Sequence, residues 1–186
     1  GYGNPSQQGE GNIGGLGNSH SNSGCAGGGG RMNTPGTVSA KNGAGGGHAT
    51  VGTNGDTYAT RGVAWGNQDL TTHLGHGGAG GAGGYDYSTA GGRGGYGGGS
   101  IAIMCGTLTI SGSGSIKADG EDGQSGATPG GGGAGGSIYI KATNLTTNGV
   151  ITTVNGGGGP NGSVGRIHFQ VSGTTSGAST PTAYTG

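Results

Sequence analysis

The chain has 186 residues, of which 57 are glycine, while only 27% are hydrophobic and 8% are charged. With 5 prolines and no chain-wide Gly-X-Y period it is not collagen, and seven basic against seven acidic residues leave no net charge that would favour nucleic acid. No apolar run approaches the roughly 20 residues of a membrane span, so membrane insertion is not expected.

Three regions follow one another along the chain. Residues 1–99 are dominated by glycine and contain a less glycine-rich loop insertion at 48–76, residues 100–171 hold most of the aliphatic residues, and residues 172–186 form a Ser/Thr-rich tail. Because so few apolar residues are present, backbone hydrogen bonding is expected to supply much of the order. The tail is expected to be an exposed stalk or an arm that docks on a neighbouring subunit.

The glycine runs between 77 and 99 keep a period of three, as GGAGGAGG and GGRGGYGGG. A period of about three residues is that of the polyproline-II helix, and glycine lets such helices pack closely. The pattern predicts two polyglycine-II helices reversed at 85–90, with every third side chain pointing outward: Ala79, Ala82, Arg93 and Tyr96. A disordered linker is the alternative.

The second region contains a repeat. SIAIMCGTLTISGSGSIKADG at 100–120 matches SIYIKATNLTTNGVITTVNG at 137–156, and RIHFQV at 166–171 is a partial third copy. Alternating apolar residues within each copy predict strands. Asp119-Gly120 and Asn155-Gly156 are expected to close strands as turns with positive φ. The expected fold class is all-β, with glycine-rich stacked β-strand repeats (a solenoid or a sandwich), polyglycine-II helices and essentially no α-helix.

These residues resemble two known families. GGGGAGGSIYIKATNLTTNGVITTVNGGGG resembles the glycine-rich repeats of bacterial secreted and surface proteins over about residues 97–171. The GGX runs with polar loops between them resemble the polyglycine-II sandwich of long-tail-fibre adhesins from T-even-like phages, which implies loops that bind a host receptor. A looser likeness to springtail antifreeze proteins covers 77–99.

Aromatic residues in the loops are the candidate ligand-binding residues. Trp65, the single tryptophan, and Tyr58 lie in the 48–76 insertion, and Tyr85 and Tyr87 lie in the 85–90 turn. Such side chains stack on sugar rings or fill a partner's pocket. The alternative for Trp65 is that it anchors its loop in a sparse core.

Metal and cofactor sites are not expected. His73 and His76, with Asp69 nearby, have H-x-x-H spacing, but zinc needs three or four ligands. Asp119–Gly123 (DGEDG) offers oxygen ligands of the kind that Ca²⁺ prefers. Solvated loop residues are the expected reading of both motifs. No nucleotide-binding loop or catalytic triad is recognisable.

Cys25 and Cys105 are expected to form one disulfide in a secreted protein, within a chain or between chains, the alternative being two unrelated thiols. Residue 1 is glycine rather than methionine, which also suggests a processed extracellular product at a cell or virion surface.

The expected function is therefore that of a non-enzymatic extracellular structural protein, which self-assembles into a surface filament, sheath or matrix. The alternative is an adhesin that binds a cell-surface glycan or protein receptor. A weaker alternative is an ice-binding protein.

Overall fold

The computed structural model describes Gly27 and residues 41–55, 59–84 and 91–186. Within these residues it contains no α-helix. Seven strands follow one another after residue 99: β1 Ser100–Ile110, β2 Ser115–Lys117, β3 Ser137–Thr147, β4 Val150–Thr152, β5 Arg166–Val171, β6 Thr175–Ser176 and β7 Tyr184–Thr185. The expectation of a β protein without α-helix is confirmed for the described part of the chain.

The larger sheet is parallel and has the order β1-β3-β5-β7, with β6 also paired to β3. Strands β1 and β3 pair so that Ile101 lies beside Ile138 and Leu108 beside Leu145. The repeated sequence copies are thus neighbouring strands in register, since equal side chains at equal positions pack on the same face.

A second, parallel sheet pairs β2 with β4 through Ile116 and Ile151. One hydrophobic core includes side chains of both sheets, and its fully buried members include Ile138, Ile140, Leu145 and Ile151. The aliphatic residues of the repeats are therefore the core of the molecule.

The glycine-rich segments extend from the ends of the strands and run alongside one another. The segment 129–136, which leads into β3, is buried from Gly130 onward. Successive amides of this segment donate to three neighbouring segments in turn, and the pattern repeats every three residues. These bonds run from Gly130, Gly133 and Gly136 to Gln124, Glu121 and Ala118, from Gly131 and Ala134 to Gly81 and Gly78, and from Gly132 and Gly135 to Pro160 and Ser163.

The carbonyls of the same central segment accept from three further segments. The donors are Gly43 and Gly46, Gly95 and Gly98, and Gly156. The surrounding segments also bond to one another in a closed ring, in the order 41–47, 77–84, 91–99, 118–124, 153–157 and 160–165. One glycine segment is thus enclosed by six others, and this glycine bundle joins residues from both sides of position 99.

Close approach of backbones explains why glycine is needed in the bundle. A Cβ built on Gly133 would lie 2.0 Å from the carbonyl oxygen of Tyr96. Because that atom belongs to the backbone, no side-chain rotation could relieve the clash.

The outward positions of the glycine runs are partly as predicted. Arg93 and Tyr96 are exposed, but Ala82 is half-buried and Ala79 is only 6% exposed. The prediction is wrong for Ala79, whose carbonyl accepts a hydrogen bond from the amide of Gly27, so a further part of the chain lies beside this residue.

The predicted positive-φ turns at Asp119-Gly120 and Asn155-Gly156 are also wrong. The described glycines with positive φ are Gly66, Gly158 and Gly177. At 118–124 and 153–157 the chain instead leaves β2 and β4 and enters the bundle, where the amide of Gly120 donates to Val154 and that of Gly156 to Gly133.

The tail folds back on its own chain. β6 pairs with Leu145 and Thr146 of β3, and β7 pairs with His168 and Phe169 of β5. An isolated bridge joins Thr152 to Thr180. The tail therefore covers one edge of the larger sheet, whereas β1 forms the opposite edge.

Candidate functional site

The junction between the glycine bundle and the larger sheet brings together most of the chemically distinctive side chains. His48 follows the bundle segment 41–47, while Ser137 and Arg166 begin β3 and β5 and are paired in register. Trp65 approaches the same place because its amide donates to the carbonyl of His48 at 3.0 Å.

His48 is 1% exposed and is held by the bundle. Its Nδ1–H donates to the carbonyl oxygen of Gly135 at 2.8 Å, and its Nε2 lies 3.4 Å from Ser137 Oγ. Burial lowers the pKa of His48 to about 4, because desolvation disfavours the imidazolium. The neutral ring thus donates a hydrogen bond through Nδ1–H and accepts one from the Ser137 hydroxyl at Nε2.

The contact between Ser137 and His48 resembles half of a catalytic triad. Ser137 is 0% exposed and His48 is 1% exposed, so an attacking hydroxyl could not reach a substrate carbonyl. The pair instead satisfies buried polar groups at the start of β3.

Trp65 is half-buried and packs inside its loop. Its ring centroid lies 5.3 Å from that of His48 and 5.9 Å from that of His76. The ring covers Gly75, where a Cβ would lie 2.2 Å from Cη2 of Trp65. These contacts describe a loop anchor rather than a free aromatic platform.

The other predicted ligand-binding residues, Tyr58, Tyr85 and Tyr87, lie outside the described residues, so their role stays a prediction. Gly84, which precedes 85–90, bonds to Lys41, whereas Gly78 bonds to Gly47 beside His48. Six residues of extended glycine chain span roughly 19 Å. Gly84 therefore lies far from the part of the bundle that Trp65 contacts.

The predicted disulfide is not resolved either way. Cys105 is exposed on β1, and Cys25 lies outside the described residues. Pairing of these two cysteines stays a prediction.

The loop after Trp65 is held in place by contacts of its own residues. The side chain of Leu70 is buried, and its backbone adopts the left-handed conformation with a φ of 52°. The carbonyl of Asp69 accepts a hydrogen bond from His168 Nδ1. His73 and His76 are exposed. Among the described residues, no group of three His, Cys, Asp or Glu side chains is placed to hold a metal ion.

The acidic residues 119–122 connect neighbouring segments of the bundle. Asp119 accepts from the amide of Val154 at 2.9 Å and from Thr152 Oγ1 at 3.0 Å, and Asp122 accepts from the amide of Gly157. Glu121 pairs with Arg93 at 2.8 Å, and the hydrogen bond from Arg93 lowers the pKa of Glu121. The carboxylates of these three residues thus accept hydrogen bonds from neighbouring segments, while Glu121 and Asp122 stay exposed.

Arg166, which the sequence indicated only as a strand residue, lies beside a cleft of about 270 Å³. Its Nη2 is 3.4 Å from the carbonyl of His48, while Nη1 is buried and has no hydrogen-bond partner among the described residues. Burial lowers the pKa of this guanidinium. The sequence carried no signal that could have identified it, because the cleft is lined by separate parts of the chain at 49–50, 68, 164–167 and 181–182.

Comparison with known proteins adds no relative. No family model matches the chain, and no significant match was found among curated proteins or solved structures. The described residues include no helix long and apolar enough to cross a membrane.

Proposed function

We propose that this chain is a non-enzymatic extracellular structural protein that associates with copies of itself through the free edge of β1. In this proposal the pair of chains joined through β1 is the building unit of a surface filament, sheath or matrix. The single observation that carries the proposal is the asymmetry of the larger sheet, in which, among the described residues, the tail pairs along one edge and no strand pairs with the outer side of β1.

The finer architecture that we propose is a stack of β repeats on polyglycine-II helices. Two observations support it: the hydrogen bonds of the central segment rotate among neighbours with a period of three, and six segments surround it. Parallel extended helices of glycine have about three residues per turn and can bond laterally on all sides. Such a bundle would be a stiff support for the sheet.

The edge formed by β1 is long and poorly protected. β1 has 11 residues, Met104 is 71% exposed, and Ile101, Ile103 and Leu108 are only partly buried. An exposed strand edge presents unpaired amides and carbonyls, which makes it a template for another strand.

A second copy of this chain is the partner that fits this edge. β1 already pairs through its other side with β3, which carries the same Ile-x-Ile and Leu pattern. β2, at the edge of the second sheet, leaves Ile116 half-buried. A second β1 would offer matching apolar side chains, as cross-strand packing requires.

A non-enzymatic role is supported by the burial of Ser137 and His48, the described pair that most resembles catalytic machinery. A receptor-binding role through Trp65 is not the function we propose, because that ring is used in packing.

Sedimentation velocity over a range of concentrations would test self-association. We expect the unmodified chain to associate and the double variant Met104→Lys with Thr107→Lys to remain monomeric, because charges on an edge strand repel a second copy. Val63→Lys is the matched control, since Val63 is also exposed, at 46%, but lies outside the sheet. A monomeric unmodified chain, or equal association by the double variant, would refute the proposal.

A further inference from the structure

Arg166 stands out because it is a half-buried cation for which the described residues supply no acidic partner. The ion pair recorded among the described residues joins Arg93 to Glu121 on the surface of the bundle. Around Arg166 the described contacts of the guanidinium are a long hydrogen bond to the His48 carbonyl and the approach of Nη1 to Gly66. A partly buried charge left without a partner is costly, so such groups usually meet a counter-ion.

The cleft beside Arg166 has the composition of a small polar binding site. Its lining includes Thr50, Gln68 and Thr182 with polar side chains, and Ile167 and Pro181 with apolar ones. The side chains of Thr50, Gln68 and Thr182 make no hydrogen bond to other described residues. Its volume of about 270 Å³ is near the lower limit of ligand pockets.

We propose that this cleft binds a carboxylate-bearing sugar unit, with the carboxylate at Arg166. Arg166 lines the cleft, and its guanidinium supplies the positive charge and the N–H donors that pair with a carboxylate. The cleft lining contains this one cation and no second one, which suits a singly charged carboxylate better than a doubly charged phosphate. Thr50, Gln68 and Thr182 supply donors and acceptors for sugar hydroxyls, and Pro181 supplies an apolar surface for the ring.

The site is independent of the proposed self-association. The cleft lies between the beginning of β5, the residue 49–50 turn and the tail, whereas the proposed contact lies on β1 at the opposite edge of the sheet. A variant that is monomeric through changes in β1 should therefore still bind the sugar acid.

Calorimetric titration of the full chain with glucuronic acid, with a glucuronic-acid oligosaccharide and with glucose would test the site. We expect binding of at least one of the two acids, weaker or absent binding of glucose, and a loss of at least tenfold in Arg166→Gln. Lys117→Gln is the matched control, because it removes an exposed positive charge on β2. Equal affinity for the free acid and the oligosaccharide unit would identify a terminal or free sugar acid as the ligand, and binding of the oligosaccharide alone would identify a unit within a polymer.

Two further variants distinguish a loss of binding from a loss of folding. Arg166→Lys keeps the charge but replaces the planar guanidinium by a compact ammonium group on a different stem, and we expect it to bind more weakly than the unmodified chain while melting at a similar temperature. Gln68→Ala should also weaken binding and leave the melting temperature unchanged. The proposal would be overturned by failure of the unmodified chain to bind either acid, by equal binding of glucose, or by unchanged affinity in Arg166→Gln.

Discussion

The Nδ1–H of His48 donates to the carbonyl oxygen of Gly135 at 2.8 Å and so connects the end of segment 41–47 to the buried central segment of the bundle. Burial also lowers the pKa of His48 to about 4, with smaller effects from the positive charges of Arg166 and His76. The fold therefore requires the neutral imidazole.

The free energy of unfolding should consequently decrease as the pH is lowered from about 6.5 to about 4. The unfolded chain binds a proton at His48 below about pH 6.5, whereas the folded chain does so only below about pH 4. The contribution of the neutral His48 to the free energy of unfolding is thus complete above pH 6.5 and is lost as the pH falls towards 4. A difference of this size corresponds to about 3 kcal/mol, and denaturant unfolding at a series of pH values would measure it.

His48→Asn isolates this effect, because the amide nitrogen of asparagine can still donate to Gly135 but does not titrate. We expect this variant to lose most of the pH dependence between 6.5 and 4. His73→Asn, at an exposed position, should keep it. An unchanged slope in His48→Asn would mean that another group carries the acid sensitivity.

The central segment should tolerate no side chain at Gly133. In Gly133→Ala the new Cβ would lie 2.0 Å from the Tyr96 carbonyl oxygen, which forces apart two hydrogen-bonded backbones. We expect a loss of about 3 kcal/mol or more in the free energy of unfolding, measured by chemical denaturation. Gly126→Ala is the control, because no atom lies within 4 Å of a Cβ there, and equal loss in both variants would contradict the close packing.

The register of the sheet could be predicted from the sequence, and the arrangement of the bundle could not. Ile101 and Ile138 repeat within copies long enough to align, and the strands pair in that alignment. The segments 118–124 and 153–157 carry no GGX period. Because they contact the centre on one side only, they need small residues only at intervals, and large side chains such as that of Glu121 occupy the exposed positions between them.

The candidate site could be predicted only in part. Trp65 was recognisable as a distinctive residue, but a sequence does not show whether an aromatic ring faces solvent or, as here, its own loop at Gly75. Arg166 was missed because the alternation of apolar residues predicts that it lies in a strand but does not show which groups surround its side chain.

Trp65 should contribute to stability rather than only to recognition. Its ring packs against His48 and His76, so Trp65→Ala would leave a void at the junction of bundle and sheet. We expect a loss of about 2 kcal/mol or more in the free energy of unfolding, measured by thermal and chemical denaturation. Tyr96→Ala, at a ring that is 58% exposed, should cost much less, and an unchanged stability in Trp65→Ala would reopen a surface role for that residue.

The tail should limit assembly instead of promoting it. β6 and β7 pair with β3 and β5 of the same chain and cover the sheet edge opposite β1. Deleting residues 174–186 would leave both edges open, and a chain with two open edges can add subunits in both directions. We therefore expect larger assemblies in sedimentation velocity and electron microscopy than the unmodified chain forms at the same concentration.

A single substitution offers a milder form of the same test. Tyr184→Pro removes the amide of the first β7 residue, which pairs with His168, whereas Tyr184→Phe keeps the backbone unchanged. We expect increased assembly in the proline variant only. A decrease in assembly on deleting the tail would instead show that the tail docks on a neighbouring subunit, because an arm that joins subunits must be present for them to associate.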